Sequence, residues 1–171
     1  MNFPAGQDRE ERSELLRRLD DARQLAESGQ TDQAVYRYRV LLRQQSMASC
    51  PDIRTQAMLS LATLLLQEAR PSSPTSILLD EAIKLFTGAR AGRSIADQTL
   101  ETAIADTNLA LAYCRRFERS DNRTDLLVAH LTLDDAEAVM LRAGATETLD
   151  WLHSVRALLL DLASRHRRAA R

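Results

Sequence analysis

Three histidines, two cysteines and one tryptophan carry the widest chemical repertoire in this chain. His130, His153 and His166 lie far apart. Only Asp150 and His153 stand at the i, i+3 spacing with which carboxylate-bridged metal sites are built in helical bundles. Such a site needs a second acid-x-x-His pair and several inward Glu residues, and the chain has no other pair of this kind. Asp150 is then a first-turn residue favoured by the helix dipole. Cys50 precedes Pro51 in a predicted loop, where its thiol can be exposed, and Cys114 falls inside a predicted helix. No neighbouring histidine pattern would activate either thiolate, so both read as ordinary small residues. A Gly-rich phosphate loop, G-x-S-x-G, H-E-x-x-H and C-x-x-C are all absent. The expectation is a protein that is not an enzyme and holds neither a metal nor an organic cofactor.

The charged groups offer the remaining chemistry. Of 23 basic residues, 22 are Arg and one is Lys, Lys84. Two readings of that imbalance stand: coding bias in a GC-rich bacterial genome, or selection of the planar guanidinium for bidentate contacts with carboxylate or phosphate. Arg165, His166, Arg167, Arg168 and Arg171 form a basic C-terminal cluster. In a helical regulator it would contact nucleic acid or acidic lipid. The preferred reading is that it complements the helix dipole and keeps a fraying end solvated. At the other end Asp8, Glu10, Glu11, Glu14, Asp20, Asp21 and Glu27 are interleaved with five Arg, the pattern of a salt-bridged surface. Trp151 either anchors a partner or locks the last helix onto its neighbour, and packing is the preferred role.

Composition sets the frame for these residues. The 171-residue chain is 44% hydrophobic, 27% charged and 4% aromatic, with a formal net charge of −1. That is a globular composition and one domain's length. Two cysteines make no disulfide scaffold, and without a signal peptide or an apolar run near ~18 residues the expected compartment is the reducing cytoplasm. The near-neutral charge argues against a dedicated nucleic-acid or anionic-membrane binder.

The elements that must position everything are helical. Gly and Pro punctuate the chain rarely, no window alternates with period two, and the stretches between breakers carry helical periodicity. The pattern predicts seven helices and no sheet, at about 8–28, 32–45, 51–69, 74–89, 94–119, 125–143 and 146–168. Thr31 is the expected N-cap of the second and Pro51 the first residue of the third. Gly88 and Gly92 are expected to loosen the end of the fourth. Leu126, Ala129, Leu133, Ala136, Met140 and Ala143 form a packing seam on the sixth. Short loops imply antiparallel neighbours, arranged as stacked hairpins or as a closed helical bundle.

Self-similarity distinguishes these arrangements. Ala22 and Leu25 are followed by Gly29, Ala34 and Tyr38. Asn108, Leu109, Ala110, Leu111, Ala112 and Tyr113 form a second such core, and Ser60 to Leu65, with Ala82, Phe86 and Ala89, is a weaker copy. Small Ala at a crossing point lets helices approach closely, while Tyr or Phe one turn later fills the space between hairpins. These hairpins resemble the tetratricopeptide repeat. Aligning Ala22, Ala62, Ala110 and Ala157 gives steps of 40, 48 and 47 residues, longer than the standard repeat of about 34. The resemblance implies a single TPR-like domain over 1–171, with hairpins at about 8–46, 51–90 and 94–143 and a capping helix at about 146–168.

It further implies a concave face lined by the first helix of each hairpin, where such proteins hold a peptide or partner helix. Residue by residue, that face takes Leu16, Leu19 and Arg23, then Leu59, Thr63 and Leu66, then Ile104, Thr107, Asn108, Leu111 and Arg115. Leu59, Thr63, Thr107, Asn108, Leu111 and Arg115 are the expected partner-binding centre. The lining is largely apolar and lacks the Lys and Arg array of carboxylate-clamp members. The expected partner is therefore an amphipathic helix or apolar peptide of another protein, and the expected role is that of an adaptor, chaperone or regulatory scaffold.

Overall fold

The computed structural model describes residues 5–69, 76–91 and 99–169. Among the described residues seven α-helices follow one another: α1 (Ala5–Glu27), α2 (Thr31–Leu42), α3 (Pro51–Glu68), α4 (Ser76–Arg90), α5 (Leu100–Ser120), α6 (Arg123–Ala143) and α7 (Thr146–Ala169). No strand occurs among the described residues, so the expected all-α class with about seven helices is what the chain adopts.

Two glycine corners shape the hairpins at either end. Gly29 and Gly144 take left-handed φ values of 78° and 65°, which favour glycine because it has no Cβ. The next N–H then reaches back into the helix, Gln30 to the Leu25 carbonyl and Ala145 to the Met140 carbonyl, a Schellman closure in each case. After Gly29 only Gln30 precedes the next helix. Thr31 is consequently the first residue of α2 and not its cap, and Gln30 makes no side-chain cap bond. The second helix also ends earlier than expected, at Leu42, and a 3-10 turn at Gln45–Ser49 buries Met47 against α1 and α3.

The middle helices are capped by side chains. Thr99 and Thr102 form a reciprocal capping box at the start of α5, which therefore begins at Leu100; the expected start at Ser94 lies outside the described residues. Likewise Asn122 accepts from the Thr124 N–H at the start of α6. The expected start of the fourth helix at Pro74, and Gly92, also lie outside the described residues. Gly88 does not loosen α4. It lies inside the helix, where an added Cβ would stand 2.6 Å from the Met58 methyl, so it is a point of close approach to α3.

Each helix packs on its sequence neighbour, and in addition α1 touches α3, α3 touches α5 and α5 touches α7. No comparable contact joins α1 to α7 among the described residues, so the helices form an open, repeat-like row. Ala22, Ala34, Ala62, Ala82, Ala110 and Ala129 are completely buried. A larger residue at such a crossing would push the helices apart. Ala157, aligned with Ala22, Ala62 and Ala110, is instead exposed, because no described helix covers that side of α7. Ala143 too is exposed, at the last turn of α6.

Arginine forks bind one hairpin to the next. The even helices do not pack on one another closely, yet Arg39 of α2 grips Glu81 of α4 through two hydrogen bonds of 3.0 and 2.6 Å. Arg90 of α4 then reaches Thr132 and Asp135 of α6. Between odd helices, Arg12 forks Asp52 at 3.0 and 2.6 Å. Bidentate contacts of Arg with carboxylate thus span sequence separations of 40 and 42 residues, and the link from Arg90 to Asp135 spans 45. On α1 itself Arg17 and Arg18 bond Glu14 and hold its carboxyl down to about 2.

The most buried fork is Arg116 on Asp125. Asp125 is 2% exposed in the third position of α6, and Arg116 donates to its two oxygens at 2.9 and 2.7 Å while also touching Asp80 of α4. Removing the guanidinium would leave a buried carboxylate unpaired, so Arg116→Ala should destabilise the fold by about 3–5 kcal/mol. Arg12→Ala, in an exposed pair, should leave the denaturation midpoint unmoved. Leu133→Ala, at a completely buried seam position, should cost about 2–5 kcal/mol. Urea denaturation of the three variants checks these expectations, and equal midpoints for Arg116→Ala and Arg12→Ala would contradict the ranking.

Candidate functional site

The parallel odd helices leave a groove of about 350 Å³ between the end of α1, the second half of α3 and the start of α5. Arg23 comes from α1, Leu59, Thr63 and Gln67 from α3, and Ile104 and Asn108 from α5. Three of the six expected binding residues, Leu59, Thr63 and Asn108, therefore meet at one surface, with Arg23 and Ile104 beside them. Leu59 is 9% exposed and forms floor, whereas Thr63 and Asn108 are half-buried and reach the opening. Tyr38 closes the bottom; its burial pushes the phenol up, with a hydrogen bond to Ser60 acting in the opposite sense.

The other expected residues serve the fold. Thr107 is completely buried and its hydroxyl donates to the Ala103 carbonyl. Leu111 is 8% exposed and belongs to the core, as do Leu66 and Leu19. Arg115 donates to the Leu66 carbonyl at 2.7 Å, satisfying the end of α3, a helix with no basic residue in its last turn. Leu16 points away from the core at 38% exposure and does not line the groove. One to two positions along a helix turn a side chain from groove to core, and that rotation separates Asn108 from Thr107.

Several lining residues were not anticipated. Ser60, Thr63, Leu64 and Gln67 lie at the i, i+3, i+4, i+7 spacing of one helix face, as Glu101, Ile104 and Asn108 do at i, i+3, i+7, so the stripes were legible once a groove was known. In α1, Arg23, Ala26 and Glu27 stand likewise at i, i+3, i+4. A wider depression of about 880 Å³ runs along α1 and α2, with Arg17, Arg18, Asp21 and Arg37 among its walls. It joins only one hairpin, and Arg17 and Arg18 already bond Glu14 and Asp21. The smaller groove unites three hairpins over an apolar floor, and on that ground it is the stronger candidate.

The titratable groups singled out by type hold elements together. His153 bonds Glu137 at 3.2 Å, His130 stands 3.6 Å from Asp134, and Arg156 bridges both acids across α6 and α7. Among the described residues no three His, Cys, Asp or Glu side chains gather as metal ligands. His166 lies edge-on against Phe117 with its Nδ1 2.9 Å from Asp121, and its Nε2 accepts from Arg123 at 2.7 Å. Arg165 pairs with Asp161, Arg167 donates to the Ala163 carbonyl and Arg168 to the Ser164 hydroxyl, so all three bond within α7. Trp151 does not lock α7: it is 42% exposed, and Leu152, Val155, Leu159 and Leu162 make that contact. No described helix is long and apolar enough to cross a membrane. No protein-family model, no curated protein and no solved structure matches the chain.

Both cysteines are buried, Cys50 included, because the 3-10 turn folds the expected loop against α3. Burial pushes the Cys114 thiol up to about 12. In a Cys50→Ser variant, Cys114 should resist a thiol reagent at pH 8 until the protein is unfolded. Because the folded thiol holds its proton more tightly than the unfolded one, this contribution to stability is complete below about pH 9 and is lost as pH rises toward about 12. Rapid labelling of the native variant would show that α5 is not packed as described.

Proposed function

We propose that the protein is a non-catalytic interaction module, a TPR-like array whose groove across α1, α3 and α5 holds a peptide or helix of another protein. The observation that carries this reading is the meeting of Leu59, Thr63 and Asn108, from two hairpins, with Arg23 from a third. An apolar floor with a few polar groups at its opening is the composition of a recognition surface, in which apolar contacts supply affinity and hydrogen bonds fix register. Asn108 makes no side-chain hydrogen bond within the described chain, so its amide is available to a partner's backbone. The contact of each odd helix with the next supports the stacked arrangement, as do arginine links that recur at 40 to 45 residues. Such a module serves as an adaptor, chaperone or regulatory scaffold.

The test begins with capture of partners from native extract and proceeds with purified components. Asn108→Ala and Thr63→Lys should each weaken binding of the captured partner about tenfold, equivalent to about 1.4 kcal/mol, at unchanged thermal midpoint. Undiminished affinity in both variants would place the binding surface elsewhere.

A further inference from the structure

The charged residues that line the groove are one arginine and two acids. Several acids that face a neighbouring helix are matched to arginine, as Asp52, Glu81, Asp125, Asp134 and Glu137 are. Glu27 and Glu101 line the groove, are exposed, and form no ion pair. Its one cation, Arg23, already faces Asp20 at 3.5 Å and donates to Gln56 at 3.2 Å. Glu27 also sits in the last turn of α1, which holds no basic residue, so its charge adds to the negative end of that helix dipole. Between the two acids the floor is apolar, with Leu59, Ile104 and Ala105.

We infer that this groove takes a peptide segment of another protein in which a short apolar stretch is flanked by Lys or Arg. The inference rests on the reading of the groove as a binding surface and adds the chemistry of its occupant. Apolar side chains cover Leu59 and Ile104, and the flanking cations meet Glu27 and Glu101. The long stems of Lys and Arg lie along apolar surface while their heads reach the rim. An acidic segment would instead bring like charge against two carboxylates with no cation free to compensate.

The experiment uses the full chain and three fluorescein-labelled peptides that share the apolar core Leu-Ala-Ala-Leu-Leu-Ala. They are flanked on both sides by Lys-Lys, Gln-Gln or Glu-Glu. Fluorescence anisotropy at low ionic strength should rank Lys over Gln over Glu, with at least about a tenfold span that narrows as salt is added. Glu27→Gln combined with Glu101→Gln, both at exposed positions, should abolish the ranking while leaving the circular dichroism and the binding of the Gln-flanked peptide unchanged. Ile104→Arg should remove binding of all three, which locates them in the groove. Equal affinities, or preference for the Glu-flanked peptide, overturn the charge assignment and leave the groove reading intact. Binding of none of the three at millimolar concentration overturns both. Concentration-dependent self-association that disappears in the double Gln variant overturns the inference in favour of a second copy, whose α7 exposes Leu160 with Arg167 and Arg168.

Discussion

Asp125 is a carboxylate placed where water barely reaches it, and the α5–α6 corner exists in its present form because Arg116 forks it. A buried charge of this kind adds little net stability when paired and is very costly when unpaired. It therefore acts as a filter on geometry: arrangements of α5 and α6 that separate the two side chains are excluded. Arg116 also reaches Asp80 and lies over the Tyr113 ring at 5.2 Å, so α4 is drawn into the same corner. One turn further, Phe117 supports His166, which joins α7 to the loop acid Asp121 and to Arg123 of α6. Four helices thus take their mutual placement from one short stretch of α5.

Elsewhere the row is built from two complementary devices. Completely buried alanines allow odd and even helices to cross at close range. Where helices stand too far apart to pack, arginine forks span the gap, as from α2 to α4 and from α4 to α6. Close packing of odd helices on even ones and bridged spacing between even helices leave the odd helices to face one another over a narrow interval. The groove is the part of that interval which their own side chains do not fill. Its floor belongs to the core and its rim to solvent, so Leu59 and Asn108 do different physical work although both line it.

The sequence by itself determined the all-α class, the number of helices and most of their inward faces. Those features depend on local propensity and on apolar spacing, which a single helix carries within itself. It also determined the glycine corners at Gly29 and Gly144, where the left-handed backbone favours a residue without Cβ, and the alanines of the crossings, where only a small side chain fits. Tertiary structure decided what a helix face cannot encode alone. Thr107 and Asn108 are adjacent and both polar, yet one is completely buried and the other opens on the groove, since rotation about the helix axis matters only once neighbours are in place. Arg115 likewise looks like a binding residue until the carbonyl of Leu66 is found within its reach. The same holds for Trp151, which stays exposed while four aliphatic residues hold α7, and for Glu27 and Glu101, which stand at one groove because α1 and α5 both flank α3. Spacing within a helix is a local property; the pairing of residues from different helices is set only when the helices pack on one another.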